Sequence, residues 1–256
     1  MRLYALHCGG DHCDLAVLDP FDPAVGTKVY EPYFCYLVQH PDGNVLFDTG
    51  VHPDAWRDPV ARLGEAADAF ELVMAPDDDI VSKLALVGLA PADVGHVVQS
   101  HLHFDHAGGL AFFPDATVYV QRAELEFAFS PPVYQRSIYV PADFEGVTGW
   151  RELAGEHDLF GDGRVVAVPT PGHTPGHQSL LVRLDGGAVL LLADATYSLE
   201  KMRERLLPAV VWSPDAMVAS WELVEEIERK EQAELICTHE LQFRSRVRIA
   251  PERWYD

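Results

Sequence analysis

No stretch of this chain approaches the ~20 apolar residues of a membrane span, although hydrophobic residues make up 48% of its 256 residues. Basic residues are scarce and scattered: 19 Lys and Arg stand against 40 Asp and Glu, for a formal charge of −21. Nucleic acid and anionic membranes are bound by Lys and Arg that neutralise phosphates, so neither partner is expected. A neutral or cationic small molecule suits this balance better. Cysteines are few. Cys8, Cys13, Cys35 and Cys237 have neither Cys-x-x-Cys spacing nor metal-type pairing, and read as reduced thiols of a cytoplasmic protein. The start, Met1 to His7, is too short in its apolar part for a secretory signal. There is no short-period repeat, no low-complexity segment, and no Ser or Cys in a nucleophile elbow.

What the chain does have is a dense cluster of ligand-type residues, Ser100-His-Leu-His-Phe-Asp-His-Ala-Gly-Gly109. The apolar run from Gly95 to Gln99 before it reads as a strand, and the glycine pair after it permits a sharp turn. His101 and His103 lie on alternate positions of an extended segment and point the same way, so they can share one metal. Asp105 and His106 follow on a turn and can face a second. Imidazole with carboxylate suits zinc and similar divalent ions.

Three more candidates each follow a strand-like apolar run. His173 comes after Val165–Val168 and the Pro171-Gly172 turn. Asp194 ends Ala188–Ala193, and His239 ends Leu235–Thr238. Asp48, closing Val45–Phe47, is either a helix cap or an acceptor for a metal-bound imidazole.

The remaining pattern is mixed. Strands are expected at Leu3–His7 (an edge strand), Tyr30–Gln39, Val45–Asp48, Thr117–Gln121, 164–169, 178–185, 188–194 and 234–238. Helices are expected at Asp54–Ala67, Asp77–Leu89, Arg122–Phe129 and Pro214–Lys230, the last capped by Ser213. Residues 9–30 and 130–150 read as loops. Phe70–Met74 is apolar without clean periodicity and is either core or pocket lining. The expected class is α/β (α+β), with two mixed sheets packed together and helices outside, in one domain over 1–256.

These motifs together resemble the metallo-β-lactamase superfamily. They comprise Ser100 to Gly109, Thr170-Pro-Gly-His-Thr-Pro-Gly-His177, Asp194 and His239. Within it, Val120-Gln-Arg122 followed by Glu124, His173 to Ser179, and Asp194-Ala-Thr-Tyr197 are most similar to the N-acyl-homoserine lactone lactonases. The resemblance implies an αβ/βα four-layer sandwich with a dinuclear site. His101, His103 and His173 would hold one metal; Asp105, His106 and His239 would hold the other; Asp194 would bridge. His177 would support them from behind. Tyr197, three residues past Asp194, and Asp105 would be catalytic. The expected cofactors are two divalent metal ions, zinc foremost, although such ligands also take manganese, cobalt or iron. A homodimer is also implied.

Two close ions lower the pKa of water enough to hold a bridging hydroxide at neutral pH. That hydroxide would open a lactone ring, with the carbonyl polarised by one metal and the Tyr197 hydroxyl. Asp105 would carry a proton to the leaving ring oxygen. Phe70, Leu72, Met74, Val210, Val211 and Trp212 are candidates for an acyl-chain groove. Several rivals fit less well. A class B β-lactamase has Cys where Asp194 stands. Glyoxalase II adds a helical C-terminal region, for which the stretch after His239 is too short. A flavodiiron site has Glu at position 103. Nucleic-acid-processing members conflict with the charge. A pyridoxolactone-type lactonase shares most of the motifs, as does a thioester hydrolase. A binding protein without activity would have lost ligands, and all are present here.

Overall fold

Strands buried on both faces dictate the layers. A computed structural model describes residues 1–256. One sheet contains β1 (Arg2–Asp14), β2 (Lys28–His40), β3 (Gly43–Phe47), β4 (Glu71–Val73), β5 (Val94–Val98), β6 (Thr117–Gln121) and β7 (Trp150–Leu153). Their order is β4-β1-β2-β3-β5-β6-β7. The other contains β8 (His157–Asp158), β9 (Val165–Pro169), β10 (Gln178–Arg183), β11 (Ala188–Ala193) and β12 (Glu234–Cys237), in the order β12-β11-β10-β9-β8. Both sheets are mixed. β3, β5, β6 and β7 run parallel, as do β11 and β12, while the other pairs are antiparallel.

Side chains alternate faces along a strand, and here both faces are apolar. On β2, Phe34, Tyr36 and Val38 meet Val165, Leu180 and Val182 of the second sheet. The intervening Cys35 and Leu37 face outward against Ile80 and Leu84. Helices Ile80–Leu86 and Arg122–Ala128 thus cover the first sheet. Helices Leu199–Glu204 and Pro214–Glu231 cover the second through Met202, Met217, Trp221 and Val224. The expected αβ/βα sandwich is the one observed.

Several elements differ from expectation. The edge strand expected at Leu3–His7 is the first part of a longer one, covered on its outer side only by isolated bridges at Leu3 and Ala5, to Tyr255 and Ile249, with β4 pairing further on at Gly10–His12. β1 continues to Asp14 through a bulge between His7 and Gly10, with Gly9 at φ 80°. The Gly-Gly-Asp signal that reads as a loop is that bulge. Asp54–Ala67 is three short helices, because Pro59 restarts the chain under an Asp58 cap and Gly64 turns it at φ 58°. The next helix spans only Ile80–Leu86, with Asp79 as its cap. Phe70–Met74 contains β4. β7 and β8 are short strands that the sequence pattern does not announce.

Trp221 ties the long helix to the site-bearing edge. It is fully buried, and its indole N–H donates to the Ala195 carbonyl at 2.6 Å. Trp221→Ala should cost about 3–5 kcal/mol of stability, read from denaturant unfolding; an unchanged midpoint would show that this contact does not anchor the helix.

Candidate metal centre

The site is built where strands of both sheets end. After β5 the chain runs through Ser100 and His101, and His103 begins the single turn Phe104–Ala107 that carries Asp105 and His106. The loop after β9 carries His173, and Asp194 and His239 lie just past β11 and β12. All seven candidates come together. His101 Nε2 is 2.9 Å from His103 Nδ1, and His173 Nε2 is 3.2 and 3.0 Å from those two atoms. His106 Nε2 and His239 Nε2 lie 3.2 and 3.4 Å from Asp105 Oδ2, and 3.3 and 3.2 Å from Asp194 Oδ1. The other Asp194 oxygen, Oδ2, faces His173 Nε2 at 3.4 Å and His101 Nε2 at 3.9 Å. One carboxylate therefore divides its two oxygens between two groups of imidazoles.

These separations fit divalent ions. Ligands ~2.0–2.1 Å from a tetrahedral zinc lie about 3.3 Å from one another, close to the spacing here. His106 Nε2 and Asp194 Oδ1 are buried without a hydrogen-bond partner, which is costly unless a cation is shared. Charge sorts the two groups. Burial, reinforced by the neighbouring imidazoles His106, His103 and His173, pushes His101 well below its ordinary pKa. Burial likewise lowers His103 and His173. Burial also pulls His239 down, but Asp194, Glu31 and Asp105 outweigh it and raise it to about 10. His106 rises for the same reason, through Asp105, Asp194 and Asp48. The acid-rich half thus draws in positive charge, a proton or a metal.

Behind these groups stands a second layer that fixes ring orientation. Asp48 accepts from the Ser100 amide and hydroxyl, both at 2.7 Å, and its Oδ2 is 2.8 Å from His106 Nδ1. Of its two readings, the imidazole acceptor is the one realised. His173 Nδ1 and His239 Nδ1 face the carbonyls of Val210 and Pro32, each at 3.0 Å. His177 Nε2 accepts the Asp194 amide at 3.1 Å while its Nδ1 faces Thr170 O at 3.0 Å. Asp48 and Ala193 adopt φ 61° and 45°, left-handed values that non-glycine residues hold only where surrounding structure enforces them.

Glu124 stands out in the structure but was only a motif match in the sequence. Fully buried, it accepts from the Leu102 amide at 3.1 Å, the Tyr139 hydroxyl at 2.9 Å and the Thr174 hydroxyl at 2.5 Å. It clamps the two histidine loops together. A Cβ on Gly176 would lie 2.1 Å from the Glu124 amide, so only glycine fits that turn.

A small cleft opens over Asp105, Asp194 and His239. Tyr197 lines it, with its hydroxyl 3.4 Å from His173 Nδ1 and its ring edge-on to His239 at 5.4 Å. Of the six groove candidates, Phe70 and Val210 line it. Val17, Tyr33, Phe104 and Ile138, which the sequence analysis does not single out, also line it. Leu72 and Met74 pack behind, Val211 packs against the second sheet's helices, and Trp212 is partly exposed.

Residues 31–239, most of the chain, match the metallo-beta-lactamase superfamily. The chain belongs to that superfamily. Among curated superfamily members, the N-acyl homoserine lactonase AttM of Rhizobium radiobacter is 36% identical, covering 98% of each chain. The N-acyl homoserine lactonase AiiA of Bacillus thuringiensis subsp. kurstaki is 31% identical over 89% of this chain and 88% of its own. Among solved superfamily structures, an N-acyl homoserine lactone hydrolase with N-hexanoyl-L-homoserine at its catalytic metal centre superposes with a TM-score of 0.88. It is 28% identical and covers 98% of each chain.

Replacing Asp194 by Asn should lower divalent-metal content in both groups at once, because one carboxylate faces both. Elemental analysis showing undiminished metal in that variant would remove Asp194 from the shared position.

Proposed function

We propose that this chain is a dinuclear metal-dependent lactonase, one domain over 1–256, that opens N-acyl homoserine lactones and so quenches quorum signals. The observation that carries the reading is the split Asp194 carboxylate between two imidazole groups, in a chain matching curated lactonases over nearly its whole length. His101, His103 and His173 would hold one ion, Asp105, His106 and His239 the other, and Asp194 both. Zinc suits these ligands. Ions so held supply Lewis acidity and an acidified water at neutral pH.

The chain's own groups do the rest. Tyr197 is buried at the cleft wall, and its hydroxyl donates to the carbonyl oxygen on which charge develops. Asp105, less buried than the other ligand candidates, takes the proton released by the attacking water and returns it to the departing ring oxygen. Phe70, Phe104, Ile138 and Val210 hold the acyl chain and exclude water. A neutral lactone suits a surface of charge −21, where nucleic acid and anionic membranes are disfavoured. A homodimer and a cytoplasmic setting, both expected from the sequence, complete the proposal.

Acid release across a lactone panel, with a thioester and a β-lactam as controls, tests the reading. N-acyl homoserine lactones should give the highest kcat/KM, rising with acyl length. A thioester preferred over every lactone would replace the assignment, and indifference to chain length would remove the groove. Tyr197→Phe should keep fold and metal and lose roughly 10–10² in kcat, less than a lone oxyanion donor because a metal shares the task. A wild-type kcat in that variant would make Tyr197 a packing residue.

A further inference from the structure

Two buried acidic side chains face each other where β1 crosses β2, and the reaction above uses neither of them directly. Asp11 pairs with Glu31 across the strands, and Cys13, two residues on, shares the face of Asp11. Asp11 and Cys13 are wholly buried and Glu31 nearly so. Like charges directly opposite destabilise a strand pair, and a buried carboxylate needs a compensating partner. No Lys or Arg supplies one. Asp11 Oδ2 accepts the Tyr33 hydroxyl, while Oδ1 has no partner at all. Glu31 Oε2 lies 3.4 Å from Cys13 Sγ, and Oε1 lies 3.4 Å from His239 Nδ1. One ligand atom from each of Asp11, Cys13 and Glu31 falls within 4.8 Å of the other two.

We propose that Asp11, Cys13 and Glu31 hold a third divalent cation, on the side of His239 turned away from Asp194. The cation is of the thiolate-accepting class of zinc, cobalt and cadmium. Sulfur and oxygen ligands ~2.3 and ~2.1 Å from one tetrahedral ion lie about 3.6 Å apart, close to the Cys13–Glu31 separation. A thiol among the ligands excludes magnesium and calcium, which take oxygen. Burial and the two carboxylates keep the Cys13 thiol protonated; the incoming ion displaces that proton to solvent, as metal binding to cysteine does generally. The ion fastens β1 to β2. Through Glu31 it also steadies the Nδ1 side of His239, so its role is structural.

The test strips the full chain with chelator, reloads it with Co²⁺, and follows elemental content and absorption. Wild type should take up about three ions per chain and show a thiolate-to-cobalt charge-transfer band, since no sulfur belongs to the other two groups. Cys13→Ser should abolish the band, and Asp11→Asn should lower uptake by about one ion. Both should retain lactone hydrolysis. Should Asp11→Asn fail to fold, Cys13→Ser alone decides. About two ions without a band in wild type, or a band that survives Cys13→Ser, would overturn the proposal. Wild type that binds the third ion but opens no lactone would instead count against the lactonase reading.

Discussion

The Asp194 carboxylate is the constraint on which the rest depends. Its two oxygens face different imidazole groups, so neither group is complete without it. Holding it there requires an unusual backbone: Ala193 is left-handed, and the β11–β12 ladder shifts register between Leu191 and Ala193. His177 captures the Asp194 amide from one side, and Trp221 captures the Ala195 carbonyl from the other. The strain in that turn is offset by fixed hydrogen bonds and a packed helix. The site is therefore a property of the whole sandwich edge.

The two groups also differ in kind. His101, His103 and His173 are held below their ordinary pKa, first by burial and then by neighbouring imidazoles, His106 among them in each case. His106 and His239 sit among carboxylates that hold positive charge near them. A buried cluster of this composition is stable only when something positive occupies it, because ionised groups removed from water must be paired. Metal affinity and folding stability are thus one quantity seen from two sides.

Much of this was legible in the sequence, for physical reasons. His101, His103, Asp105 and His106 are adjacent, and strand alternation alone predicts that the first two share a face. His173, Asp194 and His239 could be picked out because each closes an apolar run, and the C-terminal ends of those runs converge. Two packed sheets with helices outside followed from apolar strands interleaved with helical segments such as the capped, amphipathic one at Pro214–Glu231, while the αβ/βα order was implied by the family resemblance. Glu124 was less legible, since its partners Leu102 and Thr174 are distant in the chain and a lone Glu on a short helix reads as surface. Asp11 meets Glu31 only through a register displaced by the bulge at Gly9. Helix breaks at Pro59 and Gly64 were visible as residues but were overridden by the apolar pattern around them. Val17, Phe104 and Ile138 come to the cleft from three separate segments, which no local pattern signals.

The most direct measurement is thermal unfolding of the wild-type chain with and without a strong chelator, with metal content determined on the same samples. Ligands bound only by the folded state stabilise it in proportion to the logarithm of their excess over Kd. Chelation should therefore lower Tm by more than about 5 °C, and readdition of zinc should restore it. A metal-free chain that melts at the same temperature as the loaded one would contradict the account, because the buried carboxylates and imidazoles would then be satisfied without any ion.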